Sequence, residues 1–127
     1  VMRPSPQIYR EMGEANIMKM AEDFYLALEQ SGIRGLFPED MIAASRRQGL
    51  YLIMLLGGPD DYVKQNGHPR LRSRHLPFEI DEASRQIWLS CFKATLENAG
   101  NYNLPPQYVP EIIQFLEGFS AWMVNKK

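Results

Sequence analysis

The chain has 127 residues, 45% of them hydrophobic and 23% charged, which is the composition of one ordinary globular domain with about two-thirds of its surface buried. Fourteen Lys and Arg against fifteen Asp and Glu leave a net charge of −1, so bulk attraction to nucleic acid or to an anionic membrane is not expected. A single cysteine, Cys91, excludes a disulfide framework and any cysteine-based zinc site, and two histidines, His68 and His75, exclude most multi-histidine metal centres.

Helical periodicity dominates, and almost nothing reads as a strand. The expected fold is all-α, a single domain over residues 1–127, punctuated at Gly13, Gly57–Gly58–Pro59, Pro69, Pro77 and Asn101–Pro106. The first long helix is expected from about Ala15 to Gln30, with Ile17, Ala21, Phe24 and Leu28 on one face and Tyr25 beside it. A short Ile33–Phe37 piece follows, broken by Pro38. The second long helix should open at Glu39–Asp40, whose charges suit the N-terminal dipole, and run to Gly57. Its stripe is Ala44, Gln48, Tyr51, Leu52 and Leu55. A loop carrying Tyr62, Gln65, Asn66 and Gly67 leads to a short helix that opens at Pro69 and cannot run past Pro77. A third long helix, Asp81 to Asn98, places Ser84, Trp88, Cys91, Phe92, Thr95 and Ala99 on one face. The last runs from about Pro106 to Asn125 with Val109, Ile112, Ile113, Leu116, Phe119 and Met123 inward. The longest apolar run, Leu50 to Leu56, is far below the ~20 residues of a membrane span. With no signal-peptide core near the start, a cytoplasmic location is the expectation.

Nucleotide, zinc-protease and thioredoxin motifs are missing, and no serine is marked as a nucleophile. The densest anomaly is His68-Pro-Arg-Leu-Arg-Ser-Arg-His75, with three arginines in five residues of a slightly acidic chain. Leu71 and His75 share a helical face, so His75 points as an apolar residue points. It reads either as a half-buried histidine on a basic helix or as a metal or cofactor ligand. His68 and His75 stand about 10 Å apart along any continuous helix and cannot share one ion through it. A lone histidine suits a metal whose equatorial ligands come from elsewhere, as in haem. Gln48 sits within an apolar stripe, where an unpartnered amide costs on the order of 1–3 kcal/mol. Tyr25 and Trp88 are large aromatics on or beside such stripes, each with one donor. Each alone is ordinary core; together they are three donors from three helices. Arg47 and Arg74 could clamp carboxylates or phosphates. Cys91 reads as a small core hydrophobe.

These residues are recognisable together. Asp23-Phe-Tyr25, Leu36-Phe-Pro-Glu-Asp40, Leu56-Gly-Gly-Pro59, Gly67-His-Pro-Arg-Leu-Arg-Ser-Arg-His-Leu-Pro-Phe78 and Ile87-Trp-Leu-Ser-Cys91 make the chain resemble the group II truncated haemoglobins over nearly its whole length. The resemblance implies a two-over-two helical sandwich around haem b (iron protoporphyrin IX), with a very short proximal helix. It implies His75 as the iron ligand, Phe37 stacked near the porphyrin, and Tyr25, Gln48 and Trp88 on the distal side. Ala44 takes the place where many globins have a distal histidine. Arg47, Tyr62 and Arg74 match positions that contact the haem propionates. Tyr51, Leu52, Leu71, Phe78, Ile80, Phe92 and Met123 are implied as apolar wall. Two positions depart from common variants. Met12–Gly13 supplies one residue of a first glycine pair, which is expected to loosen a helix turn. Phe37, tyrosine in some relatives, leaves Tyr25 as the one distal tyrosine.

The implied function is binding of dioxygen, nitric oxide or other small haem ligands under hydrogen-bond donors. Oxygen would be released slowly and used in nitric oxide oxidation or peroxidase-like chemistry with a reductase. The alternatives are oxygen storage, scavenging or sensing, and binding of an anion such as sulfide or cyanide to ferric iron. Neither a nucleic-acid nor a membrane partner is expected, and the oligomeric state is open.

Overall fold

The computed structural model describes residues 3–68, 70 and 78–126. Among these the secondary structure is helical, with no strand. Six α-helices follow in order: α1 Gln7–Met12, α2 Glu14–Glu29, α3 Met41–Leu55, α4 Asp61–Asn66, α5 Glu82–Leu96 and α6 Val109–Met123. Short 3-10 turns lie at Arg34–Leu36, Ala99–Tyr102 and Pro106–Tyr108. The short helix expected at Pro69–His75 lies outside the described residues, apart from Arg70. No described helix is long and apolar enough to cross a membrane.

The helices start where side chains replace missing intrahelical bonds. Asp40 Oδ1 accepts the Ala43 N–H at 3.0 Å at the head of α3, and Asp81 Oδ1 accepts the Ser84 N–H at 2.8 Å at the head of α5. The second bond is the main reason the Asp81 carboxyl titrates below its usual range. Two six-residue helices are additions to the sequence reading. α1 was not anticipated, and α4 stands where a loop was expected. Each is too short to show a periodic stripe, although Ile8 and Met12, four apart, are both buried. Gly13 at φ +79° separates α1 from α2, so one glycine suffices for the break there.

α2 packs most extensively on α3 and also on α5, while α5 pairs with α6, so one helix pair crosses the other in a two-over-two arrangement. Phe24, fully buried, marks the crossing: its ring stands edge-on to Trp88 at 5.5 Å and lies 4.4 Å from Phe92. On α5 the core set is Leu89, Phe92, Thr95 and Leu96. The expected face is therefore split: Ser84, Trp88 and Cys91 are only half-buried and turn to the side of the core. On α6 the expected Ile112, Leu116 and Met123 are buried, joined by the unanticipated Phe115 and Ser120. Ile113 and Phe119 are half-buried. Burial raises the Cys91 thiol above its ordinary titration range, as befits a packing residue.

The Gly57–Gly58 pair lets the start of the chain dock on the end of α3. Tyr9 N–H donates to the Leu56 carbonyl at 3.0 Å. A Cβ on Gly57, which has φ +109°, would stand 2.5 Å from the Pro6 carbonyl oxygen and 2.7 Å from Pro6 Cα. Both the backbone conformation and the contact reject a side chain. Gly57→Ala should therefore cost roughly 2–4 kcal/mol in urea unfolding. Gly35→Ala, which meets nothing within 4 Å, should stay within about 0.5 kcal/mol. Equal midpoints for the two variants would refute this account of the docking.

Candidate functional site

Between the α2–α3 and α5–α6 pairs lie two adjoining cavities of about 110 and 350 Å³. Tyr25, Leu36, Phe37, Gln48 and Phe78 belong to both, so the two are parts of one cleft. The inner part adds Trp88, Ile80, Met123 and Phe119. The outer part adds Ala44, Arg47, Tyr51 and Tyr62.

Each wall has a local cause. Tyr25 follows Phe24 on α2, so it emerges at the edge of the core, and its ring stands edge-on to Phe37 at 5.8 Å. Phe37 sits just past the Arg34–Leu36 turn in extended backbone. That corner is held by Arg34, whose guanidinium donates to the carbonyls of Phe37, Pro38 and Glu39 at 3.2, 3.0 and 3.2 Å. Ala44, Gln48 and Tyr51 come from one stripe of α3. Tyr51 meets Tyr62 of α4 edge-on at 5.6 Å, which is how the helix at 61–66 joins the site. Trp88 reaches in from α5.

Beside Trp88, Arg85 ties α5 to α6. Its Nε donates to Ser120 Oγ and its Nη2 to the Glu117 carbonyl, both at 3.0 Å, and its Nη1 pairs with the Glu82 carboxylate at 2.8 Å. Arg85, a cation of the inner cavity wall, is thus fully engaged. Burial pushes the Tyr25 phenol up to about 12, against a smaller opposing pull from Arg47. Burial likewise raises Tyr51. Tyr25 is therefore a neutral hydroxyl at any physiological pH. The Tyr25 hydroxyl, the Gln48 amide and the Trp88 indole N–H have no hydrogen-bond partner among the described residues.

Of the residues expected at the site, Tyr25, Phe37, Ala44, Arg47, Gln48, Tyr51, Tyr62, Phe78, Ile80, Trp88 and Met123 line the cleft. Leu52 and Phe92 do not. They are 3% and 0% exposed and stand one layer behind the wall, in the core. Leu71, Arg74 and His75 lie outside the described residues. Ile33, Leu36, Ser84, Arg85, Phe119 and Ser120 line the inner cavity without having been expected there. Ser84 and Phe119 were on inward-facing stripes, and that signal could have found them. Nothing local marks Arg85, since only the fold brings Ser120 to it.

A family profile, the bacterial-like globins, matches residues 7–125. The chain is also 36% identical over 93 residues to the group 2 truncated hemoglobin YjbI of Bacillus subtilis, covering 72% of this chain and 70% of that one. It belongs to the group II truncated haemoglobins. Solved structures agree. This globin superposes on phosphate-bound Hell's gate globin IV with a TM-score of 0.91 at 33% identity, over 99% of this chain and 79% of that one. On the truncated oxygen-avid haemoglobin of Bacillus subtilis the TM-score is 0.84 at 33% identity, over 92% and 98%. Membership implies haem-based binding of diatomic ligands. The cleft of this globin meets that requirement in its chemistry: its walls are largely aromatic and aliphatic, Arg85 in the inner part is neutralised by Glu82, and a second arginine, Arg47, lies at the outer side.

Proposed function

We propose that the chain, as a single globin domain, binds haem b through His75 and holds dioxygen under Tyr25, Gln48 and Trp88 for redox chemistry with nitric oxide or peroxide. Bound haem supplies an iron that takes up diatomic ligands and exchanges one electron. The chain's residues determine how such a ligand is held. The observation that carries the reading is the set of three neutral donors, without a hydrogen-bond partner among the described residues, around one largely apolar cavity.

Trp88 can only donate, whereas Tyr25 and Gln48 both donate and accept and so can orient one another. In a dry pocket each donor stabilises partial negative charge on a ligand by about 1–3 kcal/mol, equivalent to roughly ten- to a hundredfold in release. Slow release suits a user of oxygen better than a carrier. The oxygen avidity of the Bacillus subtilis relative supports the same direction. At the outer cavity Arg47 and Tyr62 are suited to pair the propionates, and Arg74 matches a third such position in the sequence. Ala44 offers a small side chain where a ligand could enter.

The test is rapid mixing of the reduced, air-equilibrated protein with nitric oxide. Nitrate should form with one electron drawn from each haem iron, turning the visible spectrum from ferrous to ferric, and an electron donor should restore turnover. Slow oxidation, with oxygen that leaves unchanged, would favour storage, scavenging or sensing instead.

A further inference from the structure

The wall of the inner cavity formed by Phe78 and Ile80 is not part of a helix. It is held by the residues that follow α6. Asn125 brackets this short segment with its side chain: Oδ1 accepts the Ile80 N–H at 2.9 Å, and Nδ2 donates to the Phe78 carbonyl at 2.9 Å. The backbone N–H groups of Asn125 and Lys126 both donate to the Ile80 carbonyl, at 3.0 and 3.2 Å. Lys126 Nζ also reaches the Glu79 carboxylate at 2.8 Å. One amide side chain thereby takes the place of a neighbouring strand for a stretch of irregular backbone, satisfying a donor and an acceptor that helix α5 cannot reach. The same segment stands three residues beyond His75 in the sequence and presents Phe78 and Ile80 to the cleft.

We propose that Asn125 is a positioning residue for the haem site: it fixes the Phe78–Ile80 wall of the cleft against which the haem would pack. This rests on the haem reading above. The Lys126–Glu79 pair contributes little, because both side chains are more than half exposed. The bracket, in contrast, makes two bonds with one planar group, that to the Ile80 N–H partly buried and that to the Phe78 carbonyl exposed.

Three variants test it on the haem-loaded protein: Asn125→Ala, Asn125→Asp and Lys126→Ala. Asn125→Ala should lose haemin to an excess scavenger about tenfold faster than the parent, the equivalent of the hydrogen bonds removed from that wall. The Soret band of its ferrous form should shift or broaden as the Phe78–Ile80 wall moves. Asn125→Asp keeps the acceptor for Ile80 N–H but loses the donor to Phe78, and should fall between. Lys126→Ala keeps its backbone N–H and should stay within about twofold of the parent. Haemin loss and a Soret band equal to the parent's in Asn125→Ala, or an equal effect from Lys126→Ala, would overturn the proposal. Exchange of the Ile80 amide gives a readout that needs no haem: it should be protected in the parent and open in Asn125→Ala. A parent chain that takes up no haemin refutes the haem reading itself, whereas an Ile80 amide equally exposed in both proteins refutes the bracket.

Discussion

Replacing His75 by alanine is expected to lower haem retention by at least about a hundredfold, beyond the 10–100-fold typical of residues that only orient a ligand. The purified variant should lack the five-coordinate ferrous spectrum, and added imidazole should restore it by filling the vacated position. Neither His68 nor Cys91 is placed to take over. His68, the one other histidine, is exposed and seven residues away, and a thiolate from half-buried Cys91 is opposed by the burial that raises its proton affinity. An unchanged ferrous spectrum in His75→Ala would show that the ligand has been misassigned.

The second large effect concerns Trp88. Trp88→Phe should speed oxygen release about ten- to a hundredfold, the equivalent of one donor lost from a dry site. The substitution keeps an aromatic ring against Phe24 and Phe92, from which Trp88 stands 5.5 and 5.8 Å away. Packing is therefore largely preserved while the indole N–H is removed. Tyr25→Phe removes a second donor by the same logic. If Tyr25 and Gln48 orient the ligand jointly with Trp88, the double variant will depart from the sum of the singles. Since burial holds the Tyr25 proton until about pH 12, the phenol stays neutral below that value. Release should then be flat between about pH 6 and pH 10, with no step from Tyr25 at its ordinary value near 10. A release rate indifferent to Trp88→Phe would remove the tight-binding picture.

The long helices were legible because each carries its own evidence. α2, α3, α5 and α6 run for four turns or more, with a repeating apolar stripe, and α3 and α5 open at aspartates that cap them. The six-residue α1 and α4 carry too few positions for a stripe. α4 is pinned by a single buried aromatic, Tyr62, whose partner Tyr51 lies on another helix. The helix faces were legible only in part. On α5 one stripe was expected, but the helix is contacted from two directions. Leu89 and Leu96 turn into the core, while Ser84 and Trp88 turn into the cleft. A periodic pattern reports that a face is covered without distinguishing a neighbouring helix from a cavity. For the same reason Leu52 and Phe92, expected in the wall, stand behind it.

The residue types themselves determined the helical class, the breaks at Gly13 and Gly57–Gly58, and the combination of an imidazole-bearing basic segment with three neutral donors. These are local properties, set by backbone sterics, capping and side-chain chemistry, and they need no partner to be read. Convergence needed the tertiary structure. That Tyr25, Gln48 and Trp88 share one cavity, that Arg34 braces Phe37, that Arg85 joins α5 to α6 and that Asn125 brackets Phe78 and Ile80 all depend on how helices cross. Asn125 lies 45 residues from Ile80 in the chain, and no spacing rule connects positions that far apart. Only the packed fold, by bringing their backbones within a hydrogen bond's length, does so.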